Sequence, residues 1–105
     1  MIQSAILEKI TSFASEKFPD SELFLFGSRA RKTEKYDSDW DVLLLLEEDI
    51  IDLAKEKFIM DEFYELELQT GISISPLIYS KKVWNKTRPL TSLYQEIKKD
   101  AIRLK

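Results

Sequence analysis

The chain has 105 residues, 44% hydrophobic and 33% charged, so an ordinary globular protein with one core is expected, as a single domain over 1–105. Lys and Arg number 16 against 19 Asp and Glu, and the net charge of -3 excludes a bulk positive field that would hold a nucleic acid backbone non-specifically. Cysteine and histidine are both absent, which excludes a disulfide framework, a thiolate metal site, and the usual zinc ligand and general base.

In chain order, Ile2, Ala5, Ile6, Ile10, Phe13, Ala14 and Phe18 recur at three- and four-residue spacing, which predicts a helix packed by that stripe and stopped by Pro19. Glu8 and Lys9 interrupt this start, so it does not read as a secretory signal. Leu23 to Phe26 is a short apolar run that predicts a buried strand running into Gly27-Ser28. The polar stretch Ser28 to Ser38, with Arg29, Arg31, Lys32 and Lys35, reads as a surface loop or short helix. Trp40 to Leu46 predicts a second strand, and its unbroken Val42 to Leu46 predicts a central place covered on both faces. That run is far shorter than the ~20 apolar residues of a membrane span, so a soluble, cytoplasmic protein is expected.

Glu47, Glu48 and Asp49 place negative charge ahead of a helix expected over residues 50 to 69. Its buried set reads Ile51, Ala54, Phe58, Ile59, Phe63 and Leu66, and Gly71 caps its end. Ile72 to Tyr79 predicts a third strand, and Pro76 within it demands an edge position or a bulge. Pro89 opens a last predicted helix with Leu90, Leu93, Tyr94, Ile97, Ala101 and Leu104 as its stripe. Tyr79, Trp84 and Tyr94 read as core aromatics. The fold class is α+β, a mixed sheet flanked by helices.

Asp39 and Asp41 lie two residues apart at the start of a strand, so both carboxylates leave the same face, with Cα atoms ~6.6 Å apart. Ionised carboxylates that close repel unless a cation neutralises them, and Mg²⁺ takes such oxygen ligands together with waters and phosphates. Taken alone, Asp-x-Asp reads as turn residues and Gly-Ser as a plain turn. Together they are more specific. Gly27 lets the backbone approach a ligand, Ser28 offers a hydroxyl and an N–H to phosphate, and the guanidinium of Arg29 or Arg31 suits a non-bridging oxygen. These parts fit phosphoryl or nucleotidyl transfer, in which positioning and charge neutralisation dominate.

Phe26-Gly27-Ser28-Arg29-Ala30-Arg31, followed after about ten residues by Ser38-Asp39-Trp40-Asp41-Val42, resembles the signature of minimal nucleotidyltransferases of the DNA polymerase beta superfamily. The resemblance implies a nucleoside triphosphate, with ATP expected, bound through Mg²⁺, and a nucleotidyl group transferred to a hydroxyl acceptor. It further implies that Gly27, Ser28 and Arg31 hold the triphosphate, that Asp39 and Asp41 are catalytic residues and metal ligands, and that an all-helical HEPN protein of a toxin-antitoxin module is a partner. Two positions depart from the pattern. Lys32 stands where glycine is usual, and the third strand carries Ser73 and Ser75 where a third carboxylate is expected. The alternative is therefore a catalytically weak or inactive module of the same fold that regulates a partner by contact.

Overall fold

The computed structural model describes residues 2–86 and 91–105. Helix α1 (Ile2–Lys17) leads to strand β1 (Glu22–Phe26), the short helix α2 (Ser28–Arg31) and strand β2 (Trp40–Leu46). Helix α3 (Leu53–Thr70), strand β3 (Ile74–Ser80), helices α4 (Lys81–Lys86) and α5 (Ser92–Asp100), and the two-residue strand β4 (Ile102–Arg103) follow. The sheet runs in the order β3-β2-β1-β4, with β2 parallel to β3 and the β1 pairings antiparallel. This is the mixed α+β architecture expected, with β2 central and the Pro76 strand at an edge.

Side-chain alternation along β2 divides the core in two. Val42, Leu44 and Leu46 point to one face, where Ile10, Ala14 and Phe18 of α1 and Ile59, Phe63 and Leu66 of α3 cover them. Phe13, Phe18 and Phe63 form an aromatic cluster there, with Phe13 and Phe63 edge to face at 4.9 Å. Leu43 and Leu45 point the other way, against Trp84 of α4 and Ile97 of α5. Trp84 lies between Tyr79 and Tyr94, at 5.2 and 5.0 Å, which makes these rings core as the sequence suggests. Each fully buried side chain of this size contributes roughly 1.5–3 kcal/mol.

Local chemistry sets the element ends. Asp52 caps α3 by accepting the Lys55 N–H at 2.8 Å, three residues beyond the acidic run expected to sit at that end. Glu47, Glu48 and Asp49 instead face Lys81, Lys55 and Lys82. Gly71 closes α3 in the left-handed conformation, φ 73°, as expected. Within α3, Ala54 and Phe58 are exposed rather than buried, because the helix covers the sheet only along Ile59, Phe63 and Leu66.

The C-terminal end corrects the periodicity. Helix α5 stops at Asp100, Ala101 turns extended, and Ile102–Arg103 pair with Leu25 and Phe24. The exposed edge of β1 captures this segment, satisfying backbone groups that a longer helix would leave open. Leu104 consequently packs into the α1/α3 core instead of extending a helical stripe. The expected helix start at Pro89 and Leu90 lies outside the described residues; Thr91 caps α5 by accepting the Tyr94 N–H at 3.2 Å. Among the described residues no helix is long and apolar enough to cross a membrane.

Candidate active site

The two motifs of the sequence meet where β1 ends and β2 begins. Antiparallel register sets Phe26 opposite Asp41, so Gly27 arrives directly beside that carboxylate. A Cβ at Gly27 would collide with Asp41 Oδ2, and the backbone there has φ 77°. Only glycine satisfies both the conformation and the close approach. Ser28 then opens α2, whose Ala30 packs against the core and fixes the turn to the fold.

Asp41 is half-buried and Asp39 exposed. Withdrawal from water pushes the Asp41 carboxyl above its ordinary range, the Asp39 charge adds to the rise, and Arg31 pulls it partly back. Asp39 and Arg31 thus both act on Asp41. Arg31 Nη1 is held by Asp100 Oδ2 at 2.9 Å, at the C-terminal end of α5. This contact bridges 69 positions, and no signal in the sequence connects them. The other arginine has a different task. Arg29 donates from Nε and Nη2 to the Ser38 carbonyl at 3.2 and 2.8 Å and stacks over Trp40 at 4.5 Å, so it staples the loop to the start of β2.

The third strand arrives with serines. Ser73 Oγ donates to Asp39 Oδ1 at 2.6 Å, the Trp40 N–H reaches the Ser73 carbonyl at 2.9 Å, and Ser75 is in parallel register with Asp41. Ser75 therefore shares Asp41's side of the sheet. Neither glutamate of α3 supplies the missing acid: Glu65 is exposed and Glu67 accepts the Ile74 N–H at 3.1 Å. Among the described residues no group of three acidic side chains forms a metal-binding cluster. Lys32, the other departure, takes the left-handed conformation at φ 61°. The glycine usual at this position in the resembled motif has a direct physical reason here, since L side chains are strained in that conformation.

A divalent cation suits this donor set in one respect and is short of ligands in another. Two carboxylates share one side, and Asp41 is raised by burial first and by the Asp39 charge second; the neighbour that joins them from the third strand is a hydroxyl rather than an acid.

The nucleotidyltransferase domain profile matches residues 7–104, nearly the whole chain, and the chain belongs to that family. No curated protein matches the sequence. Among solved structures, a toxin-antitoxin with AMP-PNP aligns with TM-score 0.70 and 18% identity over 94% of this chain and 72% of its own. A mutant of the toxin-antitoxin MntA-HpeT aligns with TM-score 0.66 and 15% identity, again over 94% and 72%. A candidate nucleotidyltransferase from Sulfolobus solfataricus gives 0.53 and 21%, over 96% and 80%. At these identities the likeness is one of fold.

Proposed function

We propose that the chain binds a nucleoside triphosphate with Mg²⁺ and transfers its nucleotidyl group to a hydroxyl on a protein partner, the α–β phosphoanhydride bond breaking to release pyrophosphate and the hydroxyl losing its proton. The observation that carries this reading is the apposition of Gly27 and Asp41: the glycine turn that opens α2 and the carboxylate pair at the start of β2 occupy one place. Asp39 and Asp41 would hold the cation, and Gly27, Ser28 and Arg31 the triphosphate. When bound, the cation supplies charge neutralisation at the reacting phosphate. The chain's own contribution is positioning. Ser73 orients Asp39, Asp100 orients Arg31, and the Gly27 turn excludes side chains from the approach.

The resemblance of the fold to toxin-antitoxin proteins, one of them with AMP-PNP, supports ATP as the nucleotide and a protein as the partner, and the HEPN type of that partner rests on the motif resemblance alone. Calorimetry with each triphosphate and Mg²⁺ tests the binding step. Binding that survives Asp39→Asn with Asp41→Asn sinks the proposed site. Transfer of label from the triphosphate to the partner, lost in the same double variant, tests the reaction.

One observation favours a second reading, a weak or inactive regulatory module. Ser73 and Ser75 supply hydroxyls beside the carboxylate pair, and a serine is a poor substitute for an acid that activates an acceptor. Ser75→Asp separates the readings. Transfer that rises about tenfold or more identifies position 75 as the missing acid of a weak enzyme, whereas no label in either protein leaves the binding module.

A further inference from the structure

Asp100 stands where helix chemistry does not favour it. It is the last residue of α5, whose final turn also holds Lys98 and Lys99. The lysines suit the negative end of the helix dipole, and the carboxylate opposes it. The Asp100 side chain is also only 17% exposed, a withdrawal from water that a carboxylate tolerates only with a partner. A residue that breaks a local rule answers a demand from elsewhere in the fold. The partner is Arg31, the last residue of α2, whose Nη1 donates to Asp100 Oδ2 at 2.9 Å.

Sheet register brings the two together. Strand β4 pairs with β1 so that Arg103 faces Phe24 and Ile102 faces Leu25, and continued by two residues that register sets Asp100 level with Gly27. On the other side of β1, Asp41 faces Phe26. Acids therefore flank the glycine turn from both sides, and Arg31 ends the short helix that starts at that turn. Its charge reaches both: it bonds Asp100, and it draws the Asp41 carboxyl down against burial and the Asp39 charge. The two acids are not equivalent destinations. A guanidinium matches a carboxylate with the same planar fork that matches a phosphate, so Arg31 folded onto Asp39 and Asp41 would take the place of a cation and be lost to phosphate.

We infer that Asp100 is a positioning residue that keeps Arg31 off the acid pair: by holding Nη1 it stations the guanidinium beside the glycine turn and leaves Asp39 and Asp41 to a cation. Among the described residues no other side chain bonds Arg31, so its remaining N–H groups stay open to phosphate. Its side chain is 46% exposed, within reach of a ligand. This role rests on the proposed triphosphate site, and it adds the device that keeps the positive and negative halves of that site apart.

Calorimetry on full chains, shown to be folded by circular dichroism, tests this with two probes. One is Mn²⁺ alone, which takes the same oxygen ligands as Mg²⁺ and binds them more tightly; the other is Mg²⁺-ATP. Asp100→Ala frees Arg31 and should weaken Mn²⁺ binding by ~10-fold or more. Asp100→Asn, which drops the charge and keeps the shape, should act in the same direction, and Asp100→Glu, which keeps the pair, should stay close to the parent. Adding Arg31→Gln to Asp100→Ala should restore Mn²⁺ affinity to that of the parent, because the competitor is gone, while Mg²⁺-ATP binding stays weak for want of a phosphate ligand. A merely structural role for Asp100 forecasts the opposite, a double variant as weak toward Mn²⁺ as the single one. That result overturns the inference, as do Asp100→Ala and Asp100→Asn chains that bind Mn²⁺ like the parent. Both outcomes leave the triphosphate site standing, since it turns on Asp39 and Asp41. A parent chain that binds no Mn²⁺, or binding that survives Asp39→Asn with Asp41→Asn, overturns this role and the proposed site together.

Discussion

At the scale of the residue, Asp41 sets stability against the proposed function. Its carboxyl is raised by burial first and by Asp39 second, so the folded chain holds that proton more tightly than the unfolded chain does. Stability then falls as pH rises from the ordinary carboxylate range, about pH 4, through the raised folded value, and the penalty persists at neutral pH. Asp41→Asn removes it. The variant should melt higher than the parent at pH 7, the gain should vanish below about pH 4, and calorimetry should find its Mg²⁺-triphosphate binding lost. Lys32 stores a separate strain, being the described non-glycine residue at positive φ. Lys32→Gly should stabilise by up to ~1 kcal/mol in a urea titration, with the midpoint raised and the slope unchanged. The meeting of Gly27-Ser28 with Asp39 and Asp41 was legible because both motifs sit at the ends of strands whose apolar runs are plain in the sequence. The division of labour between Arg29 and Arg31 was not, since Ser38, Trp40 and Asp100 are brought to them only by folding.

At the scale of the element, two glycines with nearly equal dihedrals separate local from functional demands. Gly27 and Gly71 sit at φ 77° and 73°, but a Cβ meets Asp41 at the first and open space at the second. Gly71→Ala should cost ~1 kcal/mol in stability and leave nucleotide affinity intact. Gly27→Ala should lose a similar amount and in addition at least ~10-fold in triphosphate affinity, measured by calorimetry on protein verified as folded. The long elements were readable because each follows its own period: α1, α3, β1 and β2 all lie within a few residues of expectation. Elements fixed by distant contacts were not. Six-residue α4 is held through Trp84 in an aromatic cluster, and β4 exists because β1 has a free edge. Nothing between Ser92 and Lys105 signals a helix stop at Asp100, for neither glycine nor proline occurs there.

At the scale of the whole molecule, the candidate site draws on most of the sheet. Gly27 comes from the end of β1, the two acids from the start of β2, Ser73 from the approach to β3, and Asp100 from the end of α5. A ligand that joins these parts binds the folded chain and has no equivalent in the unfolded one, so its binding energy appears as stability. With free Mg²⁺-ATP at 100 times its dissociation constant the gain is ~2.7 kcal/mol, on the order of 10–20 °C for a chain of this size. Each further tenfold in ligand adds ~1.4 kcal/mol. Thermal melts should therefore climb with log concentration when Mg²⁺ and ATP are present together, and far less with either alone, because the Asp39/Asp41 pair repels a bare triphosphate. The Asp39→Asn, Asp41→Asn double variant should show no such climb. A shift of equal size without Mg²⁺, or one retained in the double variant, would mean that the triphosphate binds elsewhere on the molecule. A shift confined to the intact pair, seen without transfer of label, would assign the acid pair to recognition and would leave Ser73 and Ser75 as the reason for missing turnover.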